Sequence, residues 1–548
     1  LQRGSARLEG YLAYRDGLVE GNFHLAGDRV AITLAGRPLE GSMTLDLALP
    51  ALDPQQPRID LTGTRLEVTA RGTEDALPLT TEITLEKADL TSRAPLAELF
   101  GAQGHPPLDG RVVMRGRVAR LDVLDDFLID VVEGGLTLEG GGDLSASLQL
   151  AQGQIASGSR LAVTSESLEA RLLGLEAWGR GSVIASWQQG QEGSSARLEA
   201  NLEETRVART ADGGLLMQDA RLALTADGDA HELGASLTNP RLSLSWQGAN
   251  MPDVAVLQAY LPATLPATLH SGQAATQGRM EVAGGVARGQ LEISGQRITG
   301  RLLDRDVEGE LALDLQVQEA NLASRRLDLS GSRLSMQATT TASARPLQTR
   351  IVAHEARLGP LPMPGEQGPA AALDGALVME GQVANLGILD SFLPSAHGLT
   401  LDGSGLFRAA LYLADDQLSP GSQFRVETDD VAVGFLDFMA HGQGRLEAEI
   451  DGEQQTPGAR LSLTLPRFSL NRVGEEQAYV TGRHFSLETR TAHLELDTDA
   501  HSLQNVTTHI RLPIAEVDDL SRYNAYLPED AGLALLGGRA GDSPHGID

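Results

Sequence analysis

Apolar and polar residues alternate along most of this chain. Met43, Leu45, Leu47 and Leu49 are separated by Thr44, Asp46 and Ala48; the same period recurs at Leu144, Ala146, Leu148 and Leu150, at Leu311, Leu313, Leu315 and Val317, and at Leu461, Leu463 and Leu465. Successive side chains of a strand point to opposite faces, so a period of two predicts strands that are apolar on one side and polar on the other. Asp16-Gly17, Asp212-Gly213, Asp227-Gly228, Asp402-Gly403 and Asp451-Gly452 suit tight hairpins between them, because glycine accepts positive φ. Few intervening stretches have helical periodicity over ten or more residues, so antiparallel meanders are expected in place of a helix-connected parallel sheet. At about 13 to 15 residues per strand and turn, the chain would hold roughly 35 to 40 strands.

The pattern is itself repeated. Asp109–Leu128 and Asp374–Leu393 share twelve of twenty letters. Weaker copies of their ending occur at Asp253–Pro262 and Val517–Pro528, which spaces the aromatics Phe127, Tyr260, Phe392 and Tyr526 almost evenly along the chain. Approximate units run 1–128, 129–261, 262–393 and 394–527, with 528–548 starting another. In the ending Met251–Pro262 an acidic residue is placed to cap a short helix that proline stops. Glycine-bounded strands follow three of the endings, at Gly135–Gly142, Gly398–Gly405 and Gly532–Gly538. A second match, Glu40–Leu47 with Asp60–Leu66 against Glu308–Leu315 with Asp328–Leu334, lies at nearly the same offset as the first. Such chains are usually arrays whose function lies in a continuous surface.

Composition narrows the classes. The 548 residues are 41% hydrophobic and 22% charged, as in folded proteins. A net charge of −30 argues against nucleic acid as a partner, because phosphate binding needs a basic patch. With no cysteine, disulfides, thiolate zinc sites and cysteine nucleophiles are excluded together. Lys87 is the only lysine, a bias that reads as genome composition. No run of about 18 apolar residues predicts a membrane-spanning helix. The chain begins at Leu1 without a start methionine and reads as an excerpt of a longer protein.

Candidate chemistry is sparse. His493, His501 and His509 are eight residues apart, a spacing that does not place two zinc ligands on one helical turn, so surface histidines are expected. Gly541-Asp-Ser-Pro-His545 lacks the strand-turn-helix setting of a nucleophile elbow. Gly140–Gly142 reads as a bulge or turn, since a calcium-binding glycine repeat needs tandem copies. The pairs Asp125-Asp126 and Asp518-Asp519 fall in the repeated helix and read as caps or solvated charges. No catalytic residue, metal or cofactor is expected.

The apolar faces need a cover, which a closed core, a bilayer or lipid chains lying in a groove would each supply. Aromatics are only 4% of residues, against the aromatic girdles of a membrane barrel, and so few rings fill a long core poorly. Both facts favour a groove. Alternating-strand units, glycine-bounded strands and short helices ending in Leu-Pro resemble the AsmA-like and TamB-like proteins of Gram-negative envelopes, including the YdbH and YhdP branches. The resemblance implies an all-β, elongated array of antiparallel strands curled into a long groove with short helices at the repeat ends. It further implies a periplasmic protein anchored in the inner membrane through a segment not in this chain, with phospholipid acyl chains as cargo and an outer-membrane protein as a further partner. Groove-lining positions would be Met43, Leu45, Leu47, Leu49, Leu144, Leu148, Leu150, Leu311, Leu313, Leu315, Val317, Leu461, Leu463 and Leu465. Two other readings stay open: a scaffold for outer-membrane protein assembly, and a secreted structural or adhesive rod with a dry core.

Overall fold

The computed structural model describes residues 3–541 apart from 35–36, 54–57, 73–78, 93–107, 120, 122–136, 173, 190–193, 230–237, 262–266, 303–304, 322, 341–342, 362–371, 388–399, 416, 454–455, 476, 492–506 and 528–532. The fold is all-β, with antiparallel strands of up to 17 residues and short 3₁₀ helices at Val254–Tyr260 and Leu520–Tyr526. There are 30 strands among the described residues, fewer than expected, because many strands are longer than the assumed period. The chain divides into two compact units, Leu1–Pro252 with Thr276–Ala287, and Asp253–Ala275 with Arg288–Asp548.

In the first unit, each strand pairs antiparallel with the next in the order Arg3–Arg15, Leu18–Leu34, Arg37–Asp53, Arg65–Gly72, Leu79–Ser92, Leu108–Val118, Thr137–Ala151, Arg160–Leu172, Leu175–Gln189, Ser194–Arg209, Leu215–Asp229 and Thr238–Met251. The second unit has the ladder Arg305–Asn321, Arg333–Thr340, Ser343–Gly359, Asp374–Val383, Thr400–Ala414, Gln423–Phe435, Phe438–Glu453, Thr456–Arg472, Ala478–Thr491 and Thr507–Arg511. From Arg37–Asp53 onward the first ladder is reproduced strand for strand in the second. Arg37–Asp53 corresponds to Arg305–Asn321, Thr137–Ala151 to Thr400–Ala414, and the helix Val254–Tyr260 to Leu520–Tyr526. The sequence match is therefore a repeat of whole ladders.

One turn occurs four times in this scheme. Strands are interrupted at Leu61–Thr64, Ala156–Ser159, Leu329–Ser332 and Ser419–Ser422, each time by a glycine at φ between 89° and 94° followed by a buried Ser or Thr. Left-handed φ is easy only for glycine. The hydroxyls of Thr64, Ser159, Ser332 and Ser422 accept from the backbone N–H of Ala48, Gln149, Gln316 and Tyr412 at 3.2, 2.8, 3.0 and 2.9 Å. The glycine N–H groups reach across to Leu85, Trp187, Ala353 and Ile450 carbonyls at 2.7 to 3.0 Å. The interruption thus leaves few backbone groups unpaired.

A second recurrent feature is a line of bulges across neighbouring strands. Register shifts fall between Thr164 and Ser167, Trp178 and Arg180, and Leu202 and Thr205 in the first unit. In the second they fall between Ser404 and Leu406, Thr428 and Val431, and Gln443 and Arg445. Bulges bend a strand and increase its twist, so a row of them creases the sheet. Ser165 and its counterpart Thr428 support the crease alike, each accepting from the N–H two positions further on at 3.1 Å.

Several local expectations are corrected. Asp16-Gly17 is a hairpin with both φ values positive, 52° and 87°, as a type I′ turn requires. Asp227-Gly228 and Asp402-Gly403, however, lie inside the strands Leu215–Asp229 and Thr400–Ala414. Gly403 serves close approach: a Cβ there would sit 2.1 Å from the Asp430 carbonyl oxygen. Leu533–Gly538 is not a strand, and Leu536 is 95% exposed. The other two glycine-rich segments are strands from Thr137 and Thr400 onward. Phe127 and Phe392, with the repeat endings that carry them, lie outside the described residues.

Candidate functional site

Register determines which side chains share a face. Directly paired residues in an antiparallel ladder lie on the same side. In the first unit the row Leu8, Leu25, Leu45, Leu66, Ile83, Gly116, Leu144, Val163, Val183, Ala200, Leu224, Leu244 crosses twelve strands with no polar residue. The second unit repeats it as Leu313, Leu334, Ile351, Gly381, Phe407, Val426, Leu446, Leu463, Leu487, Ile510. Leu45 corresponds to Leu313, Leu66 to Leu334, Ile83 to Ile351, Val163 to Val426 and Leu224 to Leu487.

The opposite face is polar: the neighbouring row of the first unit begins Glu9, His24, Asp46, Arg65, Thr84, Arg115, Ser145. Arginines bridge strands there, with Arg58 to Asp89 at 2.8 Å, Arg117 to Asp143 at 3.2 Å and Arg425 to Glu447 at 2.8 Å. Exposed pairs of this kind add about 0–1 kcal/mol each, so they set register and solubility more than stability.

The apolar face is not uniformly covered. Leu144, Val163, Val183, Ala200 and Leu224 are 8% exposed or less, whereas Leu25, Leu45, Leu66 and Ile83 are half-buried and Leu8 is exposed. The second unit repeats this division: Phe407, Val426, Leu446, Leu463 and Leu487 are buried, but Leu313, Leu334 and Ile351 are half-buried. Of the expected lining positions, Leu144, Leu463 and Leu465 are buried. Met43, Leu45, Leu47, Leu49, Leu148, Leu150, Leu311, Leu313, Leu315, Val317 and Leu461 are half-buried. All fourteen lie in strands, and four of them, Leu45, Leu144, Leu313 and Leu463, lie on the two rows.

What buries the closed stretch is the sheet itself. Phe435 and Phe485 stand on strands three pairings apart and about seven residues out of register. On a flat sheet they would be separated by about 14 Å across and about 23 Å along the strands. Their ring centroids are 6.0 Å apart. The crease has folded the apolar face onto itself, and Phe407, Phe435, Phe468 and Phe485 fill the inside. Composition missed this because six of the ten phenylalanines, Phe407, Phe424, Phe435, Phe438, Phe468 and Phe485, gather in one core or against it.

Where the face is half-open in the first unit, Leu8, Phe23, Leu25, Leu45 and Leu47 line an apolar cleft of about 290 Å³. Its walls offer hydrocarbon and one aromatic ring, with no group to activate a nucleophile or hold a charge. Among the described residues no cluster of three or more His, Cys, Asp and Glu is arranged to hold a metal ion. Asp519 caps the helix Leu520–Tyr526 by accepting from Ser521 N–H at 2.9 Å, as Asp253 does from Ala255 in the earlier copy at 3.0 Å. Gly140–Gly142 lies within a strand opposite the Thr164–Ser167 bulge, and Ser165 donates to the Gly141 carbonyl at 2.7 Å. Asp125, Asp126, His493, His501 and His545 fall outside the described residues.

The most perturbed group among the described residues is on the polar face. Glu139, Glu169 and Glu176 surround Arg171, which pairs with Glu139 at 2.9 Å, with Glu176 at 3.0 Å and with Glu169. A proton shared with Glu176, together with burial, pushes Glu169 up to about 7. The cluster couples three adjacent strands.

No helix among the described residues is long and apolar enough to cross a membrane. No family model matches the chain, and neither the curated proteins nor the solved structures compared with it include a match.

Proposed function

We propose that the protein carries lipid, with phospholipid acyl chains lying against the apolar rows as a Gram-negative envelope requires between its two membranes. The observation that supports this most is the uninterrupted apolar row of twelve positions, ending in a cleft lined by Leu8, Phe23, Leu25, Leu45 and Leu47. Hydrocarbon removed from water against such a face gains about 25 cal/mol per Å², with no hydrogen bond required. Headgroups would stay in water. In this reading there is no chemical step, and movement is diffusion between sites of similar affinity.

The test is native mass spectrometry, with lipid extraction, of the chain expressed in the periplasm of a Gram-negative host. Co-purifying phospholipids that are reduced in the double variant Leu313→Asp with Leu315→Asp support the reading. A folded, lipid-free protein that takes up no lipid from vesicles would sink it. The dry-core rod is favoured by one observation, the Phe435–Phe485 closure, and would then be the better account. A scaffold role in outer-membrane protein assembly would need the same apolar face.

A further inference from the structure

We infer that lipid is held at separate stations, one in each repeat, and not along one continuous track. This rests on the lipid reading above. The same part of each ladder is half-open: Leu25, Leu45, Leu66 and Ile83 in the first unit, Leu313, Leu334 and Ile351 in the second. In each unit the rows beyond them are closed, at Leu144 to Leu224 and at Phe407 to Leu487. Because Leu45, Leu66 and Ile83 recur half-open as Leu313, Leu334 and Ile351, this part of the division belongs to the repeated unit; Leu25 does not share in it, since its counterpart Ile293 is buried.

The cause lies in the elements. Aligned bulges cross the strands from Thr137–Ala151 onward in the first unit and from Thr400–Ala414 onward in the second, where the Phe435–Phe485 contact shows the strands folded over their own face. The preceding Arg65–Gly72 and Arg333–Thr340 are only eight residues long. Leu45 and Leu313, which pair with these strands, stay partly uncovered.

Size and chemistry select the occupant. A cleft of about 290 Å³ is just below the range of small-molecule sites, which run from about 300 to about 1,000 Å³. Two turns of an α-helix, about 10 Å across, would overfill it. An extended peptide would bury amides against Leu8, Phe23, Leu25, Leu45 and Leu47, none of which can pair with them. A segment of a single acyl chain meets both limits.

The experiment uses the full chain with phosphatidylcholine vesicles containing a phosphatidylcholine that carries a photoactivatable diazirine on one acyl chain. After irradiation, crosslinked residues are mapped by peptide mass spectrometry. Saturable crosslinks confined to residues 8–85 and 311–353, with two lipids per chain at saturation, are expected. Leu313→Arg should reduce the count to one and leave the first set. Crosslinks running through 144–224 or 407–487 would overturn the separate stations while keeping lipid carriage. Crosslinks in one repeat only would overturn their equivalence. Absence of saturable crosslinking would remove the lipid reading itself.

Discussion

Phe485 and Leu45 are both apolar residues of strands, yet their surroundings set them apart. Phe485 is 0% exposed and touches Phe435 and Phe468 at ring-centroid distances of 6.0 and 5.5 Å. Phe485→Ala should cost about 3–5 kcal/mol, because removing a buried ring loses transfer energy and leaves a cavity. Leu45→Ala should cost under about 2 kcal/mol, since its half-exposed side chain has less to lose. Urea unfolding of the two variants measures both, and equal costs would mean that Leu45 is covered in solution. Glu169 gives a pH effect of defined sign. Its folded pKa, about 7, lies above the ordinary value of 4.5, so the native state holds a proton that the unfolded state has released. Stability contributed by this group is therefore present below about pH 4.5 and falls as pH rises towards 7. Glu176 is held low by the same shared proton and by Arg171, and acts in the opposite sense. Glu169→Gln should flatten the decline between about pH 5 and 7 in a series of thermal melts; an unchanged slope would assign the decline elsewhere.

At the scale of the element, the four-fold turn carries the sharpest expectation. Ser159 is 2% exposed and its hydroxyl serves both backbone groups of Gln149, accepting from N–H at 2.8 Å and donating to the carbonyl at 3.1 Å. Ser159→Ala removes the partner of the Gln149 N–H, while the carbonyl keeps its bond from the Ala156 N–H at 2.8 Å, and should cost about 1–3 kcal/mol. Hydrogen exchange at the Gln149 amide should accelerate, while the Gln316 amide, held by Ser332 in the other repeat, should not change. This turn shows how far the sequence reaches. Asp60-Leu-Thr-Gly-Thr-Arg and Asp328-Leu-Ser-Gly-Ser-Arg are visible as copies, but Ala156-Ser-Gly-Ser and Ser419-Pro-Gly-Ser share only the glycine and the hydroxyl. That pair alone does not single out the turn, since Gly41-Ser42, Gly181-Ser182 and Gly403-Ser404 carry it inside strands. Faces were legible from the period of two, which is why the alternating leucines share the apolar faces. Their cover was not legible: closure depends on register shifts at Gly179, Gly405 and Gly444, and an isolated glycine looks alike at a turn, a bulge or a close approach.

The chain as a whole follows the logic of a repeat. A strand in such a ladder touches its neighbours and the residues brought over it by the crease, so stability is a sum of local terms. The two compact units each have closed rows of their own, centred on Val163, Val183 and Ala200 in one and on Val426, Leu446 and Leu463 in the other. Damage in one closed row should therefore stay there. Phe485→Ala should lower native-state exchange protection at Val426, Leu446 and Leu463 and leave Val163, Val183 and Ala200 close to wild type. Urea unfolding that is one sigmoid in the wild type should then broaden or separate into two steps, because the weakened unit melts first. A uniform loss of protection with a single shifted transition would instead mean that the ladders unfold as one body, and a local change at the cleft would then be felt along the entire chain. Under the proposed lipid-carrying function, the same distinction sets how cargo is held: stations that open independently would be occupied independently, whereas a ladder that opens as one would load and release its lipids together.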